Sequence, residues 1–512
     1  MLLYMIAILV LIAFISRLII CFNSYGWFSR GFAGDSSVHI QIIKQLKKGW
    51  RNKRIDNYII PNVMSYPILF HRFCSIFPTH ILEKISFIPN LVIFVLSYFA
   101  FTCFTVYQFK QFFPEASYSV LFMGLVCHII AIQNLVTAGP AIAYVKLSSR
   151  LLAKISCSFY ILFSFFYLEF NDDLSFYLAV FSAALAFLSG TFAAQVLFFI
   201  TMIFSLITLE TGLLILTFTG LIISIVLSFG YSLRSIVAMM KYWKIYFLRV
   251  KKSRYTAPVL SSYLNLIEVI KNLLCGRIKL VCKHFYKKEP SRALLHYPEM
   301  FVVFFLLFFT DNSLEYLDDI YLSVFLIYCI TSFSVLNFLG ESYRYLEYGL
   351  FFLNPCVLSL FLFTNYGLAH STYFFLFYAV YSFFISILIN RLGGYSHKAG
   401  EDILSSFLDK LGISSTDTVF PVSMRLGADV VARTNCRSFW WQPGGVTDLK
   451  MYDDYIHEYP YLSLDWRKLC KRHEVGFIIV DKQAQDKFAD NYEFGSLEII
   501  LEDQFYSAYR YV

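Results

Sequence analysis

A chain of 512 residues that is 58% hydrophobic and 19% aromatic, with 15% charged residues and a mean hydropathy of +0.60, is too apolar for a water-soluble globule. Apolar runs of about 18 or more residues, the length a helix needs to cross a bilayer, recur as far as Asn390. Soluble enzymes and soluble nucleic-acid binders are excluded, and the eleven scattered cysteines, with no Cys-x-x-Cys pair, give no zinc site or disulfide framework.

The first apolar run, Met1 to Cys21, lacks a charged leader and a cleavage site, so it is expected to stay as the first helix. Residues 22–84 then form the first outer loop, which carries Gly34-Asp-Ser-Ser-Val-His39. Asp35 and Ser36 suit a helix start, since their oxygens accept unpaired backbone N–H groups. Asp35, His39, Ile42/Ile43 and Leu46 follow helical spacing, placing acid and imidazole one turn apart above an apolar stripe. Lys47 and Lys48 complement the helix dipole and Gly49 ends the helix. The pattern fits a polar cap and an acid–imidazole pair at the membrane surface equally well. Pro61 and Pro67 break any longer helix, and a short one along the membrane is expected from Tyr66-Pro67.

Spans are predicted near Ile85–Tyr107, Ser117–Ala138 and Leu151–Phe170. Arg150 opens the third, as an interfacial anchor or as part of an anion-binding rim. The stretch Leu174–Gly230, interrupted at Gly190-Thr-Phe-Ala-Ala-Gln195 and Glu210-Thr-Gly212, holds two long spans or three short ones. Three would set the following basic stretch, residues 231–297, against the positive-inside rule. That stretch is expected to face anionic lipid rather than nucleic acid, with Ser232–Val250 as an amphipathic interfacial helix. Spans near Pro298–Thr310, Ile320–Leu339, Tyr348–Phe363 and Phe374–Ile389 bring the total to about eleven. A second polar island lies among them. Glu341, Arg344 and Glu347 are three apart on one helix face, either a structural ion network or, through the planar fork of Arg344, a phosphate site.

The chain thus divides into a transmembrane helical domain, residues 1–392, and a soluble domain, residues 393–512. In the tail, helices are predicted over Asp402–Leu411, Arg425–Arg433 and Leu464–Arg472, and strands over Thr418–Val422, Ser438–Trp441 and Val475–Val480. This alternation gives a small α/β domain. Trp440-Trp-Gln-Pro-Gly-Gly445 is an aromatic turn suited to stacking on a sugar or to packing on the membrane part.

Three of these motifs together resemble the GT-C-type membrane glycosyltransferases of bacterial polysaccharide loci. They are Gly34-Asp-x-x-x-His39 with the Tyr66-Pro67 segment, Arg150 at a helix start, and Gly340-Glu-Ser-Tyr-Arg-Tyr-Leu-Glu347. The tail, whose last predicted strand runs into Asp481-Lys482, is similar to their small C-terminal domains. The resemblance implies an all-α polytopic bundle with an α/β tail, in a bacterial plasma membrane. It also implies transfer of a sugar from a polyprenyl-phosphate donor to a hydroxyl of a lipid or glycan acceptor. Asp35 would act as general base and His39 would orient it or share the proton. Arg150 and Arg344 would stabilise the departing phosphate, supported by Glu341, Tyr345 and Glu347. The lone Asp35 replaces the acidic pair of some members, so no cofactor is expected, and a divalent metal has no further support. A transporter or flippase of lipid-linked saccharide, or a non-catalytic assembly protein, is the alternative; no inverted repeat favours the transporter.

Overall fold

The computed structural model describes residues 2–25, 35–49, 55–60, 66–112, 118–119, 121–126, 129, 147–251, 264–281, 302–304, 307, 314–340, 342–359, 373–381, 403–422, 424–440, 449–459, 461–482, 492, 494 and 496–511. They form two compact units, one of Met1–Gly26, Phe87–Ser232 and Leu260–Ser396, the other of Trp27–Ser86, Leu233–Val259 and His397–Val512.

The first unit is helical. Its opening helix, Leu2–Tyr25, packs against Ile88–Phe112, and the buried Arg17 lays its guanidinium 5.2 Å from the centre of the Phe94 ring. Further along run the helices Arg150–Phe170, Asp173–Ser189, Thr191–Thr208 and Gly212–Leu227. Their ends are set by local chemistry. Asn171 adopts the left-handed conformation (φ 53°) that closes the first, and the Asp172 carboxylate accepts the Ser175 N–H to cap the second. Gly190 separates the second from the third, and a Cβ there would meet the Ala153 Cβ at 2.8 Å. The Leu174–Gly230 stretch therefore holds three helices. Ile88–Phe112, Arg150–Phe170 and Thr191–Thr208 are each long and apolar enough to cross a membrane, and Leu3–Leu18 and Asp173–Ser189 are shorter apolar helices. Against the expected eleven or so spans, these three meet the length and composition of a span among the described residues. Those expected near Ser117–Ala138 and Pro298–Thr310 lie largely outside the described residues. The expected Ile320–Leu339 span ends sooner, as Glu315–Thr331, and a 3₁₀ turn over Ser334–Leu339 leads to the next helix at Tyr343.

The second unit is mixed. Among the described residues seven strands run β1 Thr418–Pro421, β2 Arg437–Ser438, β3 Ile456–Glu458, β4 Tyr461–Leu462, β5 Phe477–Asp481, β6 Glu498–Glu502 and β7 Tyr506–Arg510. The main sheet has the order β2-β1-β5-β7-β6, parallel from β2 to β5 and antiparallel from β5 to β6. Helices Ile403–Leu411, Met424–Thr434 and Trp466–Arg472 accompany it, each within two residues of its sequence expectation. The strands β3, β4, β6 and β7 add to those expected from the sequence.

The tail does not build this unit alone. Tyr58 of the first loop forms a parallel bridge with Ser438 on β2, through Ile59 N–H to the Ser438 carbonyl (2.9 Å) and Ser438 N–H to the Asn57 carbonyl (3.0 Å). The loop thereby pairs the otherwise open edge of the sheet. Val38, Ile42, Leu46, Ile55 and Tyr58 from the loop share a core with Phe420, Phe439, Leu462 and Ile478 from the tail. Ile245 and Val250, at the end of the basic amphipathic segment, join the same core. A single core cannot straddle a bilayer, so in a membrane these three segments are expected on one side of it. The basic residues from Leu233 to Lys251 thus belong to the same compact unit as the first loop and the tail.

Candidate functional site

In the mixed unit the helix carrying the first-loop motif spans Asp35–Lys48, starting at the expected acid and ending before Gly49. Its expected polar face is not exposed. Ser36, Ser37, His39, Gln41 and Gln45 are all buried, because the helix is flanked by Leu69–Ser75 on one side and by Met424–Thr434 of the tail on another. Ser37 donates to the Asp429 carboxylate and Gln41 Nε2 to the Val431 carbonyl (3.3 Å). Burial first, and the Asp429 charge second, hold the nearby Tyr58 phenol well above its ordinary pKa.

His39 is 6% exposed, which corrects its expected surface position, and its Nδ1 lies 2.7 Å from Nε2 of the fully buried His71. The two imidazoles meet edge to edge, with centroids 5.0 Å apart and an interplanar angle of 29°, and Tyr66 and Phe70 lie in T-shaped contact with His39 at 5.5 and 6.2 Å. His71 Nδ1 in turn lies 3.2 Å from the Pro67 carbonyl. Burial, then the neighbouring His39, hold His71 well below the usual histidine pKa, so it is neutral at neutral pH. In the sequence His71 is only the end of the Tyr66-Pro67 segment. Nothing in the chain marks a histidine 32 positions away as the partner of His39.

The helical unit gathers the second polar group. The Tyr343–Leu350 helix packs on Arg150–Phe170, with the Tyr348 hydroxyl donating to the Arg150 carbonyl (3.4 Å) and the Ser158 hydroxyl to the Tyr348 carbonyl (2.7 Å). Tyr348 thus ties the Tyr343–Leu350 helix, which carries Arg344, to the start of the helix that Arg150 opens. Gly340 (φ 110°) turns the chain into this helix with the Phe192 ring against its Cα, where any Cβ would clash. The same ring lies 5.5 Å from the Arg344 guanidinium and meets Tyr345 and Tyr348 edge-on. Gln195 Nε2 donates to the Tyr345 hydroxyl (2.9 Å) and to the Leu339 carbonyl, which also accepts from Tyr345 (3.0 Å). The Gly190–Gln195 interruption is thus where the second polar island docks.

Glu347 pairs with Lys154 at 3.0 Å, the two side chains 4% and 3% exposed, and the ammonium lies 3.7 Å from the centre of the Phe351 ring. Lys154 is a residue that sequence reasoning misses, although its spacing of four from Arg150 puts both cations on one helix face. Glu341 lies outside the described residues. Among the described residues no group of three or more His, Cys, Asp or Glu side chains converges as a metal site would.

No protein-family model and no curated protein matches the sequence. Solved structures do. The archaeal oligosaccharyltransferase AglB from Archaeoglobus fulgidus, in complex with an inhibitory peptide and a dolichol-phosphate, superposes with a TM-score of 0.55 at 13% identity, over 96% of this chain and 70% of that one. A second structure of the A. fulgidus oligosaccharyltransferase, tethered to an acceptor peptide, gives 0.53 at 12% identity over the same shares. The fold is of the GT-C type. This GT-C-type likeness covers 96% of the chain.

Proposed function

We propose that the protein is a membrane glycosyltransferase that moves a sugar from a lipid-phosphate donor to a hydroxyl of a lipid or glycan acceptor. The observation that carries this reading is the GT-C-type fold over 96% of the chain, with Asp35 opening the first-loop helix. In this reading the chain crosses a bacterial plasma membrane about eleven times and takes a polyprenyl-phosphate-linked hexose or pentose as donor. Asp35 removes the acceptor proton and His39 shares it. The acceptor oxygen attacks the anomeric carbon, and the carbon–oxygen bond to phosphate breaks with its electron pair leaving on the phosphate. Arg150 and Arg344 stabilise that growing charge, most strongly in surroundings poor in water. Glu341, Tyr345 and Glu347 hold the arginine-bearing helix. No metal step enters this scheme.

The test uses the full-length protein in lipid nanodiscs with radiolabelled undecaprenyl-phosphate sugars, scoring release of undecaprenyl phosphate. Asp35→Asn is expected to slow release by about 10²- to 10⁴-fold, the usual worth of a general base. Full activity in a folded Asp35→Asn protein removes the base assignment. Binding of these lipids with no release under any condition favours carriage over chemistry.

A further inference from the structure

The helix Leu264–Leu274 lies within the basic stretch and ends in a left-handed turn at Gly276 (φ 66°). There Gly276 N–H donates to the Leu273 carbonyl (3.0 Å) and Arg277 N–H to the Asn272 carbonyl (2.8 Å). At helical spacing Ile267, Ile270, Leu273 and Leu274 share one face, and all four are 57–82% exposed. Of residues 267–274, Val269 alone is buried. Glu268, Lys271 and Asn272 lie on the other side of the helix, and the exposed Arg277 and Lys279 follow its turn.

Neither bulk water nor the bilayer interior suits such a helix. Four aliphatic side chains open on one face form a contiguous apolar patch, which soluble surfaces avoid. At 11 residues the helix is about 16 Å long, half the roughly 30 Å of a hydrocarbon core, and it carries Glu268 and Lys271, so it does not span. Contacts between proteins centre on aromatic or arginine anchors, and this face holds isoleucine and leucine only. The boundary between headgroups and acyl chains takes both sides of the helix at once, and three cations against one acid match an anionic leaflet.

We infer that Leu264–Leu274 lies in the plane of the membrane as an anchor on anionic lipid, its Ile and Leu face among the acyl chains and Lys271, Arg277 and Lys279 at the lipid phosphates. The inference sharpens the expectation for residues 231–297 by naming an element that meets the lipid. It rests on the membrane placement in the reading above and is independent of the chemistry proposed there for Asp35 and the arginines.

The test places a spin label, through a genetically encoded ketone amino acid, at position 270, 272 or 202 of the full-length protein in lipid nanodiscs. Collision with oxygen, which concentrates among acyl chains, is compared with collision with a water-soluble nickel chelate. In phosphatidylglycerol nanodiscs oxygen should dominate at Ile270 and nickel at Asn272. Met202, exposed on the apolar helix Thr191–Thr208, should also favour oxygen and reports the membrane placement separately. Each cation beside an anionic surface is worth about a factor of five in partition. Lys271→Gln, Arg277→Gln and Lys279→Gln together should therefore lower the oxygen-to-nickel ratio at position 270 in phosphatidylglycerol, to the value found for the native cations in phosphatidylcholine. Nickel dominance at 270 with oxygen dominance at 202 overturns the inference and leaves the membrane reading intact. Shielding of 270 from both reagents overturns it in favour of a protein contact, and a ratio indifferent to lipid charge removes the anionic lipid as occupant. Nickel dominance at 202 removes the membrane reading and the inference with it.

Discussion

The two units solve opposite problems with polar groups. In the helical unit a charge away from water has to be matched locally, and Lys154 and Glu347 are matched across two packed helices at 3.0 Å. In the mixed unit the polar contacts join segments that are far apart in the chain: Ser37 to Asp429, Asn57 to Cys436 (3.1 Å) and Arg249 to Asp453 (2.7 Å). The helical-unit pair matches charge away from water, while the mixed-unit contacts, one of them an exposed ion pair, tie distant segments together.

The sharpest way to break that contrast is topological and all-or-none. If the first loop, the basic segment and the tail share one core, cysteines placed at the exposed positions His80, Lys241 and Lys450 must react from the same side of the membrane. A membrane-impermeant maleimide, applied to sealed vesicles of each single variant and scored against the parent, should label all three or none. Labelling of Lys241→Cys from the side opposite to the others dissolves the three-segment unit.

The next effect is energetic. Glu347→Ala leaves the Lys154 ammonium buried without its carboxylate, which costs about 3–5 kcal/mol, and it should lower the thermal midpoint in detergent far more than removal of an exposed charge such as Arg249. In the mixed unit the comparable loss is apolar. Ile42 is fully buried among tail residues, and Ile42→Ala should cost about 2–5 kcal/mol by opening a cavity. The tail expressed alone, as residues 397–512, lacks the loop residues of that core and its β2 edge is open, so it should give the poorly dispersed NMR spectrum of an unfolded chain. A well-dispersed spectrum would show that the loop decorates the tail rather than completing it.

A smaller effect follows pH. Above about 6.5, the ordinary histidine value, His71 is neutral both folded and unfolded and costs nothing. Below it the unfolded chain takes up the proton first, because burial and His39 hold the folded His71 lower. Stability therefore falls as pH drops, by at most about 1.4 kcal/mol per pH unit for this one proton. His473 is also lowered, by burial and the charges of Arg472 and Arg437, and adds in the same sense. The melting temperature of His71→Gln should depend less on pH than that of the wild type between about pH 7 and 5; equal slopes would mean that His71 is not buried neutral.

How much of the molecule is legible in its sequence depends on the range of the physics. Helix starts, caps and breaks are local, so the Asp35–Lys48 helix, the Gly190 interruption, and the tail elements Ile403–Leu411, Thr418–Pro421, Met424–Thr434, Trp466–Arg472 and Phe477–Asp481 can be read from short stretches. What stays hidden is pairing at long range. The polar face of the Asp35–Lys48 helix has an ordinary amphipathic pattern, which predicts exposure, and its burial depends on a tail helix about 390 residues later. Lys154 is within reach, four residues beyond Arg150, but its carboxylate partner is 193 residues away. The strands β6 and β7 lack clean alternation, with both faces of β6 at least partly exposed, so periodicity gives them no signal.

The smallest expected effect is the most informative about distance as a guide to strength. The Arg249–Asp453 contact is shorter than Lys154–Glu347 and doubly hydrogen-bonded, at 2.7 and 2.8 Å, and the pairing raises the arginine pKa while lowering that of the aspartate. Yet its side chains are 42% and 46% exposed, so water competes for both ions and salt screens them. Arg249→Ala should leave the melting temperature of the protein within measurement scatter, and high salt should change wild type and variant alike. The basic segment would still be held, because Ile245 and Val250 remain in the shared core. A clear destabilisation by Arg249→Ala, abolished by salt, would instead make this pair the anchor of the segment, and the contrast between the units would then rest on the number of charges rather than on their exposure to water.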